Sequence, residues 1–103
     1  MLLVREIMYC KPGKVRAMVK KSIDMAALME KAGQGKMKIM TDFCAERYWT
    51  IVTEFEVNSV QEFEASMRGE GISEELGKEF EKLMEGYHDL VDYGRREIYK
   101  IES

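Results

Sequence analysis

Residues 48–62, YWTIVTEFEVNSVQE, carry the pattern that decides the fold, because a strand ends and a helix begins within them. From Tyr48 to Val57 apolar and polar side chains alternate, which is typical of a half-buried β-strand. Ser59 and Glu62 then have the spacing of a capping box, in which two side chains satisfy free backbone N–H groups at a helix start. The sequence therefore predicts a strand that passes directly into a helix.

Three further elements are predicted upstream of this stretch. Residues 36–45 alternate as well, and a short link joins them to the following strand as a hairpin. Residues 2–10, LLVREIMYC, form a strand-like apolar run that ends before Pro12. From Val15 the apolar residues recur every three to four positions until Gly33, which predicts an amphipathic helix of about five turns.

Downstream, the second helical stretch is interrupted at residues 68–71, restarts at Ser73 and is closed by Gly94. Residues 95–102 predict a last short strand. The order β-α-β-β-α-β predicts one α+β domain over residues 1–103, with a ferredoxin-like four-stranded antiparallel sheet and its helices on one face.

Composition restricts the possible partners. Hydrophobic residues make up 46% of the chain and charged residues 34%, which is typical of a folded domain. The net charge of −3 provides no overall basic field for nucleic acid or anionic lipid. No apolar run approaches the roughly 18 residues of a membrane span, and Arg5 and Glu6 interrupt any signal-peptide core. We therefore expect a cytoplasmic protein without nucleic-acid or membrane partners.

The first strand has apolar residues on both of its faces. Leu3 and Ile7 alternate with Val4 and Met8, and Val52 adds an apolar residue to the second face of the third strand. A sheet face with this pattern is normally covered, and no chain is left over to cover it. The sequence therefore predicts a homodimer that forms through the open sheet face.

The chain resembles the dimeric α/β-barrel superfamily, which includes antibiotic-biosynthesis-type monooxygenases and stress-responsive barrel proteins. The resemblance rests on the strand that runs into Lys11-Pro12-Gly13-Lys14, on the strand at 49–57 and on the helix start at 59–64. It implies that two protomers pack their open sheet faces together and that a pocket can form between sheet and helices. The helix that carries a His in many monooxygenases has none at 65–68 here, and the first strand lacks the Asn of haem-degrading members.

Charged residues within strands suggest candidate sites. Arg5 and Glu6 are adjacent in a central strand, so their side chains point to opposite faces, and a buried charge needs a partner such as Glu54 or Glu97. Two interpretations stay open: salt bridges that fix the dimer register, or polar groups directed at a ligand. The predicted ligand-binding residues are polar or aromatic side chains: Arg5, Tyr48, Trp49, Glu54, His88 and Tyr99.

Trp49 shares its predicted strand face with Ile51 and Phe55, which favours a core position over a pocket position. A core position predicts that replacing Trp49 with Ala costs about 3–5 kcal/mol. The single histidine, His88, is predicted to have a structural role near a helix C-terminus, with a pocket acid/base or a ligand to haem or metal as the alternatives.

Nine methionines suit either an adaptable cavity wall or an ordinary flexible core, and the second is favoured. Cys10 and Cys44 form no metal-ligand motif and are predicted to be buried free thiols, so no metal site and no cofactor are predicted.

Two functions of different class fit these observations. The preferred one is a homodimer that binds a small apolar or aromatic molecule between sheet and helices without turning it over. The alternative is a cofactor-independent monooxygenase-like enzyme, which is supported by the resemblance alone.

Overall fold

The computed structural model describes residues 1–103 and contains one antiparallel sheet. Its strands are β1 (Leu2–Cys10), β2 (Lys38–Thr41), β3 (Thr50–Val57) and β4 (Val91–Lys100), in the spatial order β2-β3-β1-β4. The helices are α1 (Val15–Lys31), α2 (Val60–Met67), α3 (Glu74–Met84) and the single turn α4 (Tyr87–Leu90). This architecture confirms the predicted ferredoxin-like α+β fold.

Local signals place the helix starts. The Ser59 hydroxyl accepts a hydrogen bond from the Glu62 backbone N–H at 3.1 Å, and the Glu62 carboxylate accepts one from the Asn58 N–H at 3.2 Å. The predicted capping box is therefore present, with the carboxylate satisfying the N–H one residue before the N-cap. Ser73 caps α3 in the same way, through the Leu76 N–H at 3.2 Å.

The strand register assigns each side chain to a face. Val4 lies opposite Phe55, and Arg5 lies opposite Glu54. Even-numbered residues of β1 face the helices, where Val4 and Ile51 are completely buried, and odd-numbered residues lie on the open face. The core consists of one cluster around Ile51 beneath α1 and a smaller one formed by Val4, Val57 and Phe63.

The end of the chain differs from the prediction. Gly86 has a φ of 79°, in the left-handed region, and there the helix ends instead of continuing to Gly94. Strand β4 begins at Val91, four residues earlier than predicted, because it pairs with the whole of β1. Gly94 lies within this strand, where a Cβ atom would come within 2.9 Å of the Ile7 carbonyl oxygen.

The β2–β3 connection also differs from the predicted short hairpin. Strand β2 ends at Thr41, and the chain then forms an eight-residue loop over 42–49, held by hydrogen bonds from the Thr50 N–H to Asp42 and from the Thr50 hydroxyl to the Arg47 carbonyl. Trp49 ends this loop with a φ of 64° and is 44% exposed, so its predicted core position is wrong. Cys44 is exposed in the same loop, whereas Cys10 is buried as predicted.

Candidate functional site

A large cavity lies between the helix-facing side of the sheet and helices α1 and α3, with a volume of about 1150 Å³. It exists because α3 packs against α1 and lies away from the sheet. No residue of α3 is fully buried, although Phe80 and Met84 point into this space. The cavity is therefore bounded by sheet, α1 and α3 together, and no single sequence segment encodes it.

Methionine dominates the apolar wall of the cavity. Seven of the nine methionines line it: Met8, Met18, Met25, Met29, Met37, Met67 and Met84. Phe55, Phe80 and Tyr87 add aromatic surface. Methionine side chains are unbranched and flexible, so such a wall can adjust to ligands of different shape. The two interpretations of the methionines therefore overlap, because Met18 and Met29 are buried in the core and also line the cavity.

An ion pair lies in the wall of the cavity, on the helix-facing side of the central strand β1 and the edge strand β4. Glu6 of β1 is opposite Arg96 of β4, and the Arg96 Nε–H donates to the Glu6 carboxylate. The Arg96 guanidinium also lies 5.0 Å from the centre of the Phe63 ring. These two contacts fix the guanidinium in one orientation.

Further polar groups lie around this pair. Burial, and to a lesser extent the negative charge of Glu6, raises the pKa of the Tyr87 hydroxyl above its usual value. Tyr87 therefore stays protonated and keeps a hydrogen-bond donor near Glu6. Ser22 and Thr53, which are both buried residues, add hydroxyl groups to the wall. The cavity thus combines an apolar surface with polar groups, as small-molecule sites usually do. Further charged residues, among them Lys21, Lys78 and Glu81, line it on the side of α1 and α3.

Three of the six predicted site residues lie on the open face of the sheet. Arg5 Nε is 2.7 Å from a Glu54 carboxylate oxygen, and Arg5 Nη1 is 3.7 Å from Glu97. Tyr99 donates its hydroxyl to Glu97 at 2.9 Å, and its ring lies 5.3 Å from the Arg5 guanidinium carbon. The hydrogen bond to Glu54 raises the pKa of Arg5, so this side chain is firmly cationic. The structure therefore brings Arg5, Glu54 and Tyr99 together, on the side of the sheet opposite the cavity.

The other three predicted residues lie elsewhere. Tyr48 and Trp49 belong to the 42–49 loop and line a smaller cavity of about 420 Å³ with Val15 and Arg16 of α1. His88 is exposed in the single turn α4. None of the six residues lines the large cavity, so a ligand held there would contact other side chains. No group of His, Cys, Asp and Glu side chains is arranged to hold a metal ion.

Comparison with protein-family models gives no match for this chain, and comparison with curated protein sequences gives none either. Solved structures do match. An uncharacterised NIPSNAP-domain protein from Burkholderia xenovorans matches with a TM-score of 0.78 at 10% identity, over 100% of this chain and 96% of that one.

The fold is that of the NIPSNAP-domain proteins. A NIPSNAP-like protein from the same organism matches with a TM-score of 0.75 at 11% identity, over 99% of this chain and 85% of that one. A structural-genomics target from Agrobacterium tumefaciens matches with a TM-score of 0.74 at 17% identity, over 97% of this chain and 92% of that one. At these low identities the likenesses show a shared fold and nothing more. None of the helices is long and apolar enough to span a lipid bilayer.

Proposed function

We propose that this protein is a homodimer that binds a small apolar or aromatic molecule in the cavity between sheet and helices, without chemically changing it. The observation that carries the proposal is the methionine-lined cavity with the Glu6–Arg96 ion pair in its wall. Its volume of about 1150 Å³ is slightly larger than the usual range for small-molecule sites, roughly 300–1,000 Å³.

The exposed apolar surface of the cavity supports a ligand. Met67 and Met84 are exposed, and Phe80 is only partly buried, although all three point into the same space. Keeping such side chains in contact with water is unfavourable, and a contiguous exposed apolar surface commonly marks a binding site. An apolar ligand would remove these groups from water without any change in the sheet.

The chemistry of the wall favours binding over turnover. The only histidine, His88, lies outside the cavity, and so do both cysteines. The Glu6 carboxylate already accepts a hydrogen bond from Arg96, so it is not a free base facing the cavity. We therefore do not propose the monooxygenase-like activity that the sequence left open.

Gly77 of α3 offers a direct test of the cavity. It lines the space, it has an ordinary helical conformation, and an added Cβ atom would meet nothing within 4 Å. Replacing Gly77 with Leu is expected to fill part of the cavity and to weaken binding of the neutral fluorescent dye N-phenylnaphthylamine by about tenfold. Dye titration by fluorescence measures this.

The matched control is the replacement of Gly77 with Ala. Both variants should raise the free energy of unfolding by about 1 kcal/mol, because glycine disfavours a helix by that amount relative to alanine. Only the Leu variant should lose dye affinity. Equal dye binding by both variants would contradict the assignment of the ligand to this cavity.

The open sheet face supports the homodimer. Ile7 and Val52 lie opposite each other on this face, and the neighbouring charged groups are paired within one protomer. Because Arg5 and Glu54 already neutralise each other, a second protomer could cover them without leaving an unpaired charge. A sheet-on-sheet interface of this kind normally buries more than roughly 1,200 Å².

The dimer predicts a mass of twice the monomer's 12.0 kDa by light scattering at micromolar concentration. Replacing Val52 with Glu would place an unpaired carboxylate in the centre of the face, and we expect this variant to be monomeric but folded. Thr41→Glu is the control, since Thr41 is exposed on the helix-facing side of the edge strand β2. A wild-type protein that scatters as a monomer would contradict the dimer.

A further inference from the structure

We infer that the ligand of the large cavity is an amphiphile with a carboxylate head group, and that Arg96 binds this head group. The inference rests on the proposed binding function and specifies its ligand class. It is carried by the hydrogen-bonding state of Arg96, by the contact of its guanidinium with the Phe63 ring and by the apolar residues that line the rest of the cavity.

The guanidinium of Arg96 is only partly used by the protein. Its Nε–H donates to Glu6, and its face lies on the Phe63 ring. Its two terminal Nη nitrogens donate to no protein acceptor. A guanidinium has five N–H donors in a rigid plane, so the edge formed by the two Nη groups is left free and held in a fixed direction.

The other cationic side chains of the cavity wall are engaged differently. Lys21 donates to the carbonyl oxygens of Leu83 and Glu85, each at 2.7 Å, at the end of α3. Arg68 uses Nε and Nη2 on Glu70, which lies outside the wall, and Arg95 points to the open face, where it donates to Tyr9. Lys78 is paired with Glu74 at 3.9 Å, and an ammonium group has no planar two-donor edge. Arg96 is therefore the wall cation with a free two-donor edge next to apolar surface.

Two parallel N–H donors match the two oxygens of a carboxylate, which accepts from both at once. An alcohol has a single uncharged oxygen, which cannot match both parallel donors, and an ammonium group accepts no hydrogen bond. Glu6 holds the Arg96 guanidinium in place. Its negative charge also offsets the positive charge of the guanidinium, so it weakens the attraction of an anion to Arg96. Removing the charge of Glu6 should therefore strengthen carboxylate binding.

The apolar part of the ligand follows from the rest of the wall. Seven methionines with Phe55 and Phe80 occupy far more of the surface than the ion pair does. This apolar part of the wall can accept a flexible chain or a fused ring. A single acidic head with an apolar tail is the chemistry that uses both parts of the cavity.

The test compares three probes with the same tail: dodecanoate, dodecanol and dodecyltrimethylammonium, each kept below the concentration at which it forms micelles. Isothermal titration calorimetry on the full chain should give the order dodecanoate, then dodecanol, then dodecyltrimethylammonium. We expect dodecanoate to bind about tenfold more tightly than dodecanol, the amount typical of a charge-assisted hydrogen-bonded pair.

Three variants locate the head group. Arg96→Met should lower dodecanoate affinity by about tenfold and leave dodecanol affinity unchanged, whereas Glu6→Gln should raise dodecanoate affinity by several-fold. Arg96→Lys keeps the charge but loses the two-donor edge, so it should recover only part of the affinity. The control is Lys100→Met, which removes a positive charge from the same face of β4 outside the cavity and should change neither affinity.

The outcomes separate the two proposals. If none of the three probes binds, the proposed function itself is overturned. If dodecanol and dodecanoate bind equally and Arg96→Met changes neither, the cavity binds apolar molecules but the carboxylate inference is wrong. Should Arg96→Met fail to fold, the Arg96→Lys and Glu6→Gln variants decide, because unchanged dodecanoate affinity in both would contradict the inference.

Discussion

Replacing Ile51 with Ala is expected to lower the free energy of unfolding by about 2–5 kcal/mol, the range for large-to-small changes in a core. Ile51 is 0% exposed and lies at the centre of the cluster that joins β3 to α1. The lost side-chain carbon atoms leave a void that β1, β3 and α1 cannot close without moving. Such a loss is a large part of the total stability of a domain of this size.

Trp49→Ala provides the contrast to this variant. The sequence pattern predicts a loss of about 3–5 kcal/mol for Trp49, but the residue is 44% exposed at the end of a loop. We now expect a loss below about 1 kcal/mol, and urea unfolding at one fixed protein concentration measures both variants. A larger loss for Trp49 than for Ile51 would contradict the placement of the core.

The elements that could be predicted are those with local signals. The apolar spacing from Val15 and the glycine at Gly33 set the ends of α1, and Ser59 and Ser73 begin α2 and α3 through hydrogen bonds to residues three positions later. These interactions act between near neighbours, so the sequence around them is sufficient. The strand order then follows from the order of the elements.

The errors arose where distant residues decide the structure. The sequence around Tyr87 and Val91 continues a helical pattern, but pairing of Val91 with Cys10 on β1 begins a strand there. Likewise, the alternation from Tyr48 includes Trp49 in a strand, whereas the hydrogen bond of Thr50 to Asp42 places Trp49 in a loop with positive φ. No window of sequence contains both partners of the β1–β4 pairing.

The candidate site, too, has one part that the sequence predicts and one part that depends on distant residues. The pairing of Arg5 with Glu54 was predicted from charges within strands, and the structure contains it. The cavity could not be predicted, because it depends on the distance between α3 and the sheet. The signals that pointed to it were the many methionines and the position of Glu6 on the face opposite Arg5.

The second large effect on the free energy of unfolding is expected from the charged residues on the open face of the sheet. Replacing Arg5 with Met leaves the Glu54 carboxylate, whose side chain is 16% exposed, without its cation, while Glu97 keeps Arg95 at 3.3 Å. We expect a loss of about 1.5–3 kcal/mol, the range for hydrogen bonds to charged groups. In the single chain the Arg5 side chain is 35% exposed, so the loss should be below the 3–5 kcal/mol of a fully buried pair; cover by a second copy would raise it towards that range.

A double-mutant cycle isolates this pair. The double variant, with Arg5→Met and Glu54→Leu, should recover most of the lost stability, because the unpaired carboxylate is then gone. Thermal melts of the two single variants and the double variant give the coupling energy. The control is the same cycle on the exposed pair of Lys20 and Asp24, where we expect no more than about 0.5 kcal/mol. A coupling energy below that value for Arg5 and Glu54, with every variant folded, would show that the pair does not stabilise the sheet. The open face, with Tyr99 beside Arg5, would then become the next place to test for a ligand, because polar groups that cost stability are commonly kept for function.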